Sequence, residues 1–357
     1  MLSANISLAN KTILVSGAAG FIGAALVQQL LRSIEPICIV GIDNLNDYYD
    51  PGIKQYRLRQ ISQCAASKPG SQWHFFQESI SEAHALQQIF KRFKPSLVFN
   101  LAAQAGVRHS IKHPEAYIDS NIVGFFNVLE ACRYNAVEHL LYASSSSVYG
   151  CNTKLPYATE DPVDHPVSLY AATKKSNELM AHAYAKLYAI PCTGLRFFTV
   201  YGPGGRPDMA YYSFTDKLLK GECISIFNYG NCQRDFTYID DIVESLCRIA
   251  ACAPKKSLGP DALPQAPYRL YNIGNNSPVM LLEFIKTLHE ELIQASLLPP
   301  GHKLQDQQIL LPMQPGDVPV TYADTQPLER DFGFKPSTTL KTGLHKFVQW
   351  YKEYYKL

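Results

Sequence analysis

Apolar residues recur along the first 200 positions in two alternating rhythms. Short unbroken runs occur at TILVSG (12–17), PICIVGID (36–43), WHFFQ (73–77), SLVFNLAA (96–103), HLLYASSSS (139–147) and PCTGLRFF (191–198). They lack polar alternation and read as strands buried on both faces. Between them lie stretches with helical spacing, among them FIGAALVQQLLRS (21–33), PEAYIDSNIVGFFNVLEACRYN (114–135) and SLYAATKKSNELMAHAYAKLYA (168–189). This alternation predicts an α/β fold with a doubly wound parallel sheet. From about Gly202 the rhythm is lost and Pro, Gly and aromatic residues become frequent. Segment 253–268 (APKKSLGPDALPQAPY) reads as a Pro-rich surface loop or linker. Two unequal parts are expected: residues 1–200, and a smaller lobe, 201–357, that covers a ligand crevice and returns some segments to the first part.

Composition narrows the class of function. The 357 residues carry a net charge of +2, with 46% hydrophobic and 18% charged residues and no block of like charge. Neither a nucleic-acid footprint nor a polybasic membrane patch is visible. No apolar stretch reaches the ~20 residues of a membrane span. Met1–Asn10 lacks the basic and apolar regions of a secretory signal. The nine cysteines form no C-x-x-C pair, which suits reduced thiols in a cytoplasmic protein. His109 and His113 stand four apart without the Glu of a zinc-protease helix, so no metal is expected.

Gly17, Gly20 and Gly23 follow the first strand and open the first helix. In that context a first glycine permits the tight turn, a second lets backbone approach a pyrophosphate, and a third allows close helix–strand packing. The spacing is G-x-x-G-x-x-G rather than G-x-G-x-x-G. Asp43 ends the second strand, twenty residues beyond Gly23. A carboxylate there suits the adenosine ribose hydroxyls and repels a 2′-phosphate, which favours NAD over NADP.

Tyr170 and Lys174 stand four apart on one helix face. A nearby ammonium, with an oxidised nicotinamide, lowers a phenol's pKa from about 10 toward use as a general base. Y-x-x-x-K alone is common on surface helices. Here it accompanies the glycine motif and the serines Ser144–Ser147 at the end of the fifth strand, where doubly wound sheets present ligands.

Taken together, GAAGFIG, YASSSSVYG and YAATK resemble the extended short-chain dehydrogenase/reductase family, with its Rossmann-type domain, and in particular its nucleotide-sugar epimerases. DNLNDYYD (43–50), LAAQAGVRHSI (101–111), LRFFTVYGPGGRPDMA (195–210), RDFTYIDDI (234–242) and MQPGDVPVTYAD (313–324) are similar to the UDP-glucuronate 4-epimerase branch. The resemblance implies NAD-dependent oxidation at C4 of a UDP-sugar, turnover of the 4-keto sugar, and reduction on its other face. Tyr170 would be the base, Ser145 its partner at O4, and Lys174 the residue that holds the nicotinamide ribose. NAD would lie on Gly17, Gly20, Phe21, Ile22, Gly23, Asp43, Asn44, Ser79, Ile80, Leu101, Ala102, Ala103, Gln104, Tyr170, Lys174 and Phe197.

A 4-keto glucuronate is a β-keto acid, prone to lose CO2. Ser146, Ser147 and Thr199, with Arg108 as a further candidate, would hold its carboxylate by charge-assisted bonds. Arg206, Arg234, Asp317 and Asn121 would meet the nucleotide and diphosphate. Ser146 and Ser147 replace the Asp-Glu pair of related dehydratases, which leaves elimination without a proton donor. Ser79 and Asn100 depart from the family's usual Asp and His, a difference that bears on cofactor affinity. Helices 114–135 and 168–189 would pair across a homodimer through Phe125, Phe126, Leu129, Leu179 and Tyr184. UDP-glucose or UDP-N-acetylglucosamine epimerisation, UDP-glucuronate decarboxylation, net reduction and a silent NAD sensor stay open as alternatives.

Overall fold

The computed structural model describes residues 1–259, 263–314 and 316–357. The chain begins β1 (Thr12–Ser16), α1 (Phe21–Ser33), β2 (Cys38–Ile42), α2 (Pro51–Ala66), β3 (Gln72–Phe76), α3 (Ala83–Phe93) and β4 (Leu97–Asn100). Short helices α4 (His109–Lys112) and α5 (Pro114–Tyr117) lead through a π-turn (Ile118–Val123) into α6 (Gly124–Tyr134). The long helix expected over 114–135 is thus helical but interrupted. Next come β5 (His139–Ser145), a 3-10 turn (Ser146–Tyr149), α7 (Leu169–Tyr188), β6 (Cys192–Phe197) and β7 (Thr199–Tyr201). The remainder is α8 (Ala210–Leu219), β8 (Ile224–Ile226), β9 (Gln233–Tyr238), α9 (Ile239–Ala250), β10 (Ser257–Leu258), β11 (Pro264–Gln265), β12 (Tyr268–Ile273), β13 (Pro278–Met280), α10 (Leu281–Gln294), β14 (Gln308–Leu310), α11 (Gln326–Phe332) and α12 (Leu340–Tyr355).

Seven strands form one sheet in the order β12-β6-β5-β4-β1-β2-β3, and every pairing is parallel. The order reverses on either side of β1 and β4, which opens a crevice beyond their C-terminal ends. The central strands β1, β4 and β5 are buried almost throughout, as their unbroken apolar runs require. Two apolar clusters cover the sheet. One contains Leu26, Leu30, Ile242 and Leu246. The other contains Phe90, Phe125, Leu129 and Tyr142.

The edge strand β12 comes from beyond position 200, directly after the Pro-rich segment. That segment contains the β10–β11 hairpin, and its final residue, Tyr268, begins β12. Positions 260–262 of it lie outside the described residues. A second, three-stranded sheet, β13-β9-β7, builds the smaller lobe. Asp235 on β9 accepts backbone N–H groups from Asn275, Asn276 and Ala323, at 2.7, 3.0 and 3.0 Å, and so ties three segments of that lobe together.

Candidate active site

The turn between β1 and α1 is bare backbone. Gly17 adopts φ +72°, and a methyl group on it would lie 2.7 Å from Ala102 N. A methyl on Gly20 would lie 2.9 Å from Gly17 O, and one on Gly23 would collide with that same oxygen. No side chain caps α1 at Gly20, so its first-turn N–H groups face the crevice. This is the arrangement that receives a pyrophosphate. Asp43 is buried and accepts from Ala19 N at 3.1 Å and Leu45 N at 2.9 Å, which locks the glycine turn to the end of β2.

One cleft is lined by Gly17, Gly20, Phe21, Ile22, Gly23, Asp43, Asn44, Ser79, Ile80, Leu101, Ala102, Ala103, Gln104, Tyr170, Lys174 and Phe197. Gln104 Nε2 is buried there with no hydrogen-bond partner among the described residues. A glycine cradle, a buried carboxylate at the end of β2 and an amide donor without a hydrogen-bond partner among the described residues together fit a dinucleotide. Asn100 accepts from Ser16 Oγ at 2.6 Å and joins the ends of β4 and β1. Ser79 Oγ takes up Ser81 N at 3.2 Å.

The catalytic candidates converge on the same cleft. Ser168 caps α7 by accepting Ala171 N at 3.1 Å, which starts the helix just before Tyr170. Tyr170 stands close enough to Ser145 for that hydroxyl to act on the phenol's ionisation. Burial raises the phenol's pKa above its ordinary value, against the opposing effects of Ser145 and of the Arg206 charge. The sequence pointed to Lys174 as the cation acting on Tyr170. The structure places Lys174 Nζ on Ala143 O, at 2.8 Å, and 6.0 Å from the Tyr170 ring centre. Burial lowers the Lys174 pKa from 10.5 to about 8.

The family model for NAD dependent epimerases/dehydratases matches residues 13–274. This chain belongs to that family. It is 44% identical to UDP-glucuronate 4-epimerase 4 of Arabidopsis thaliana over 351 residues, covering 96% of this chain and 76% of the relative. It is 42% identical to a probable UDP-glucuronate 4-epimerase of Rhizobium meliloti over 352 residues, 96% and 97% of the two chains. The crystal structure of UDP-glucuronic acid 4-epimerase from Bacillus cereus, in complex with UDP-glucuronic acid and NAD, superposes with a TM-score of 0.81 at 30% identity. That superposition covers 96% of this chain and all of the other.

Within this epimerase/dehydratase chain the substrate candidates divide into groups. Ser145 and Arg206 line the cleft. Arg206 forms a two-point bond with Asp208, at 3.0 and 2.5 Å, and Tyr48 donates to the same carboxylate at 3.1 Å. Ser146 and Ser147 follow Ser145 in the 3-10 turn and Thr199 opens β7; all three are half-buried, and none is among the residues that line the cleft. Ser147 Oγ accepts from Ser145 Oγ at 3.1 Å, whereas the Ser146 and Thr199 hydroxyls have no hydrogen bond among the described residues. Arg108 and Asp317 meet each other at 2.8 Å, and Arg108 lies 4.6 Å over the Phe227 ring. Arg234 donates to Pro319 O at 3.1 Å and holds the segment carrying Asp317.

Asn121 departs from its expected role. It is 1% exposed, and its amide is committed to Gln104 and Thr173, so it holds the cleft wall and does not meet a diphosphate. The cleft is also lined by Asn46, Tyr48, Tyr49, Lys54, Phe198 and Met209, none of them singled out from the sequence. Four of these lie in or just after the DNLNDYYD stretch, whose density of polar and aromatic residues right after a strand was the available signal. Among the described residues no cluster of three or more His, Cys, Asp or Glu side chains could hold a metal ion.

Proposed function

We propose that this chain interconverts UDP-glucuronate and UDP-galacturonate by NAD-dependent epimerisation at C4. The observation that carries this reading is the pair Ser146 and Ser147 in the turn that follows Ser145, with Thr199 at the start of β7. They supply hydroxyl donors and no acid where the sugar's carboxylate must be held, and two of the three are unpartnered. Sequence identity of 42–44% over nearly the whole chain to UDP-glucuronate 4-epimerases supports the same substrate.

The residues of the NAD cleft would hold the cofactor with its pyrophosphate over the glycine turn and its adenosine ribose near Asp43. When bound, NAD accepts two electrons from C4 and later returns them, so the reaction is redox-neutral overall. Tyr170 Oη takes the proton of the sugar 4-hydroxyl and gives it back after the ketone has turned over. Ser145 Oγ hydrogen-bonds O4 and keeps that oxygen aligned with the phenol. Lys174, held on Ala143 O, faces the nicotinamide end of the cleft. Ser146, Ser147 and Thr199 grip the carboxylate out of line with the C4 carbonyl, which blocks loss of CO2. Arg206 and Arg234 present positive charge to the diphosphate, Asp317 accepts from the ribose hydroxyls of the nucleotide, and Arg108 is a further partner for the carboxylate.

The active unit is proposed to be a homodimer. Phe126, Leu179, Leu187 and Tyr188 are exposed on α6 and α7 and form an apolar face that a second copy would cover. Phe125 and Leu129, also expected at that interface, instead pack against the chain's own sheet at 1% and 0% exposure. No helix among the described residues is long and apolar enough to cross a membrane. All nine cysteines are free thiols, consistent with the cytoplasm.

Incubation of the purified protein with UDP-glucuronate, followed by separation of nucleotide sugars, tests the activity. UDP-galacturonate should accumulate with no net change in nicotinamide absorbance. Release of CO2 by the wild type would overturn the reading in favour of decarboxylation. Unchanged epimerisation without CO2 release by both Ser147→Ala and Thr199→Ala would overturn the carboxylate grip.

A further inference from the structure

Glu178 lies on α7 two turns beyond Tyr170, outside the described chemistry. It is 2% exposed, and so is Ser144, while Arg196 is 1% exposed. Glu178 Oε1 accepts from Ser144 Oγ at 2.6 Å and from Arg196 Nε at 2.8 Å, and Glu178 Oε2 accepts from Arg196 Nη2 at 2.9 Å. Ser144 and Arg196 are direct partners in the β5–β6 register. A fully buried ion pair carries a desolvation cost that its mutual attraction often fails to exceed, so stability alone is a poor reason for its presence.

We propose that the Glu178–Arg196 pair, acting through the Ser144 hydroxyl, is the positioning device that holds Ser145 against Tyr170. This rests on the epimerase reading of the site. Residues 170, 174 and 178 form one stripe of α7. That stripe addresses three consecutive residues of β5: Lys174 bonds Ala143 O, Glu178 bonds Ser144, and Tyr170 stands where Ser145 acts on its ionisation. Side chains alternate across a strand, so Ser144 is gripped from the face opposite to the one Ser145 presents. Two anchors on adjacent residues, Ala143 O and the Ser144 hydroxyl, fix the slide and the rotation of the strand end relative to the helix and so the place of Ser145 next to Tyr170.

Arg196 extends the same control beyond the strand. Its guanidinium lies 4.8 Å over the Tyr149 ring, at the end of the Ser146–Tyr149 turn, and Tyr149 donates to Asn272 Oδ1 at 2.6 Å. Ser145 starts that turn by accepting Ser147 N at 3.2 Å. The ion pair therefore bears on both ends of the turn that carries Ser146 and Ser147. Glu178 and Arg196 are positioning residues, since neither touches the reacting atoms.

Two variants test this in the NAD-loaded protein. Ser144→Ala removes the link and leaves the ion pair intact. The double substitution Glu178→Met, Arg196→Met replaces the pair with apolar chains of similar length, an exchange that often preserves stability. Both should lower kcat roughly 10- to 100-fold with little change in KM, as expected for a misplaced catalytic group. Both should also move the ionisation of Tyr170 to higher pH, because the Ser145 hydroxyl that favours the phenolate is displaced. That ionisation is read as phenolate absorbance, by difference against the same protein carrying Tyr170→Phe, and needs no sugar. Wild-type kcat and wild-type Tyr170 ionisation in a folded Ser144→Ala protein would overturn the proposal, whatever the stability of the double variant. Failure of the wild type to epimerise UDP-glucuronate would instead count against the substrate reading and leave the ionisation test standing.

Discussion

Asn121 holds both backbone groups of Gln104. Its Oδ1 accepts from Gln104 N at 2.8 Å, and its Nδ2 donates to Gln104 O at 3.1 Å. The π-turn at Ile118–Val123 places it there, and the turn's stray carbonyl at Asn121 accepts from Asn177 Nδ2 at 2.6 Å. One side chain thereby fixes the wall of the cofactor cleft to the helix that carries Tyr170.

Replacing Asn121 with Ala should accordingly act on cofactor affinity. It strands a buried N–H and a buried C=O, each worth about 1–3 kcal/mol if left unsatisfied. We expect a lower melting temperature and NAD binding weakened roughly tenfold or more, since part of that cost falls on the NAD-competent wall. Fluorescence titration of the cofactor-free protein with NAD measures it. Wild-type affinity would show that the 101–106 segment holds its shape unaided.

The Arg108–Asp317 pair joins that same segment to the smaller lobe. The Arg108 side chain is 50% exposed, so the pair itself is worth at most about 1 kcal/mol to stability. Its effect should fall on substrate instead. Arg108→Ala should leave the melting temperature nearly unchanged and raise the KM for UDP-glucuronate roughly tenfold, the loss of one charge-assisted contact. Steady-state kinetics at fixed ionic strength decides it. An unchanged KM would remove Arg108 from the substrate site.

For the dimer, a charge placed on the exposed apolar face should separate the copies. Phe126 and Leu179 are 44% and 59% exposed. Phe126→Glu combined with Leu179→Glu should sediment at half the mass of the wild type and keep its far-ultraviolet circular dichroism. A wild-type protein that already sediments as a monomer would sink the dimer.

What the sequence revealed follows from how local each signal is. The apolar runs 12–17, 96–103 and 139–147 announce buried parallel strands because burial on both faces leaves no polar alternation. The glycine turn and the Tyr170/Lys174 spacing are equally local, and all sixteen cofactor candidates line one cleft. Features that depend on which segments meet in space were not legible. The seventh strand, YRLYNI (268–273), follows a Pro-rich stretch and is only half-buried at its start, so its apolar signal is weak. Nothing in DSNIVG announces a π-turn, and nothing in the spacing shows that the Asn121 amide is already occupied. Phe125 and Phe126 are adjacent and chemically identical, yet the pitch of α6 buries the first and exposes the second.

Lys174 gives the clearest separation of stability from function. Its side chain is buried, and its pKa of about 8 lies below the 10.5 of a free lysine. Between those values the unfolded chain binds more protons than the folded one, so stability rises as pH rises through that window. At pH 7 the ammonium is still charged in the fold, at a cost of about 3 kcal/mol, taking about 1.4 kcal/mol per pH unit. Lys174→Met removes the buried charge and retains most of the packing. The cofactor-free variant should therefore melt higher than the wild type at pH 7, and the difference should shrink toward pH 10. Epimerase activity should be lost at every pH, because the group proposed to hold the nicotinamide ribose is gone. Thermal melts of both proteins across that range measure the effect. A variant that melts lower at pH 7 would mean that the bond to Ala143 O outweighs the desolvation of the charge.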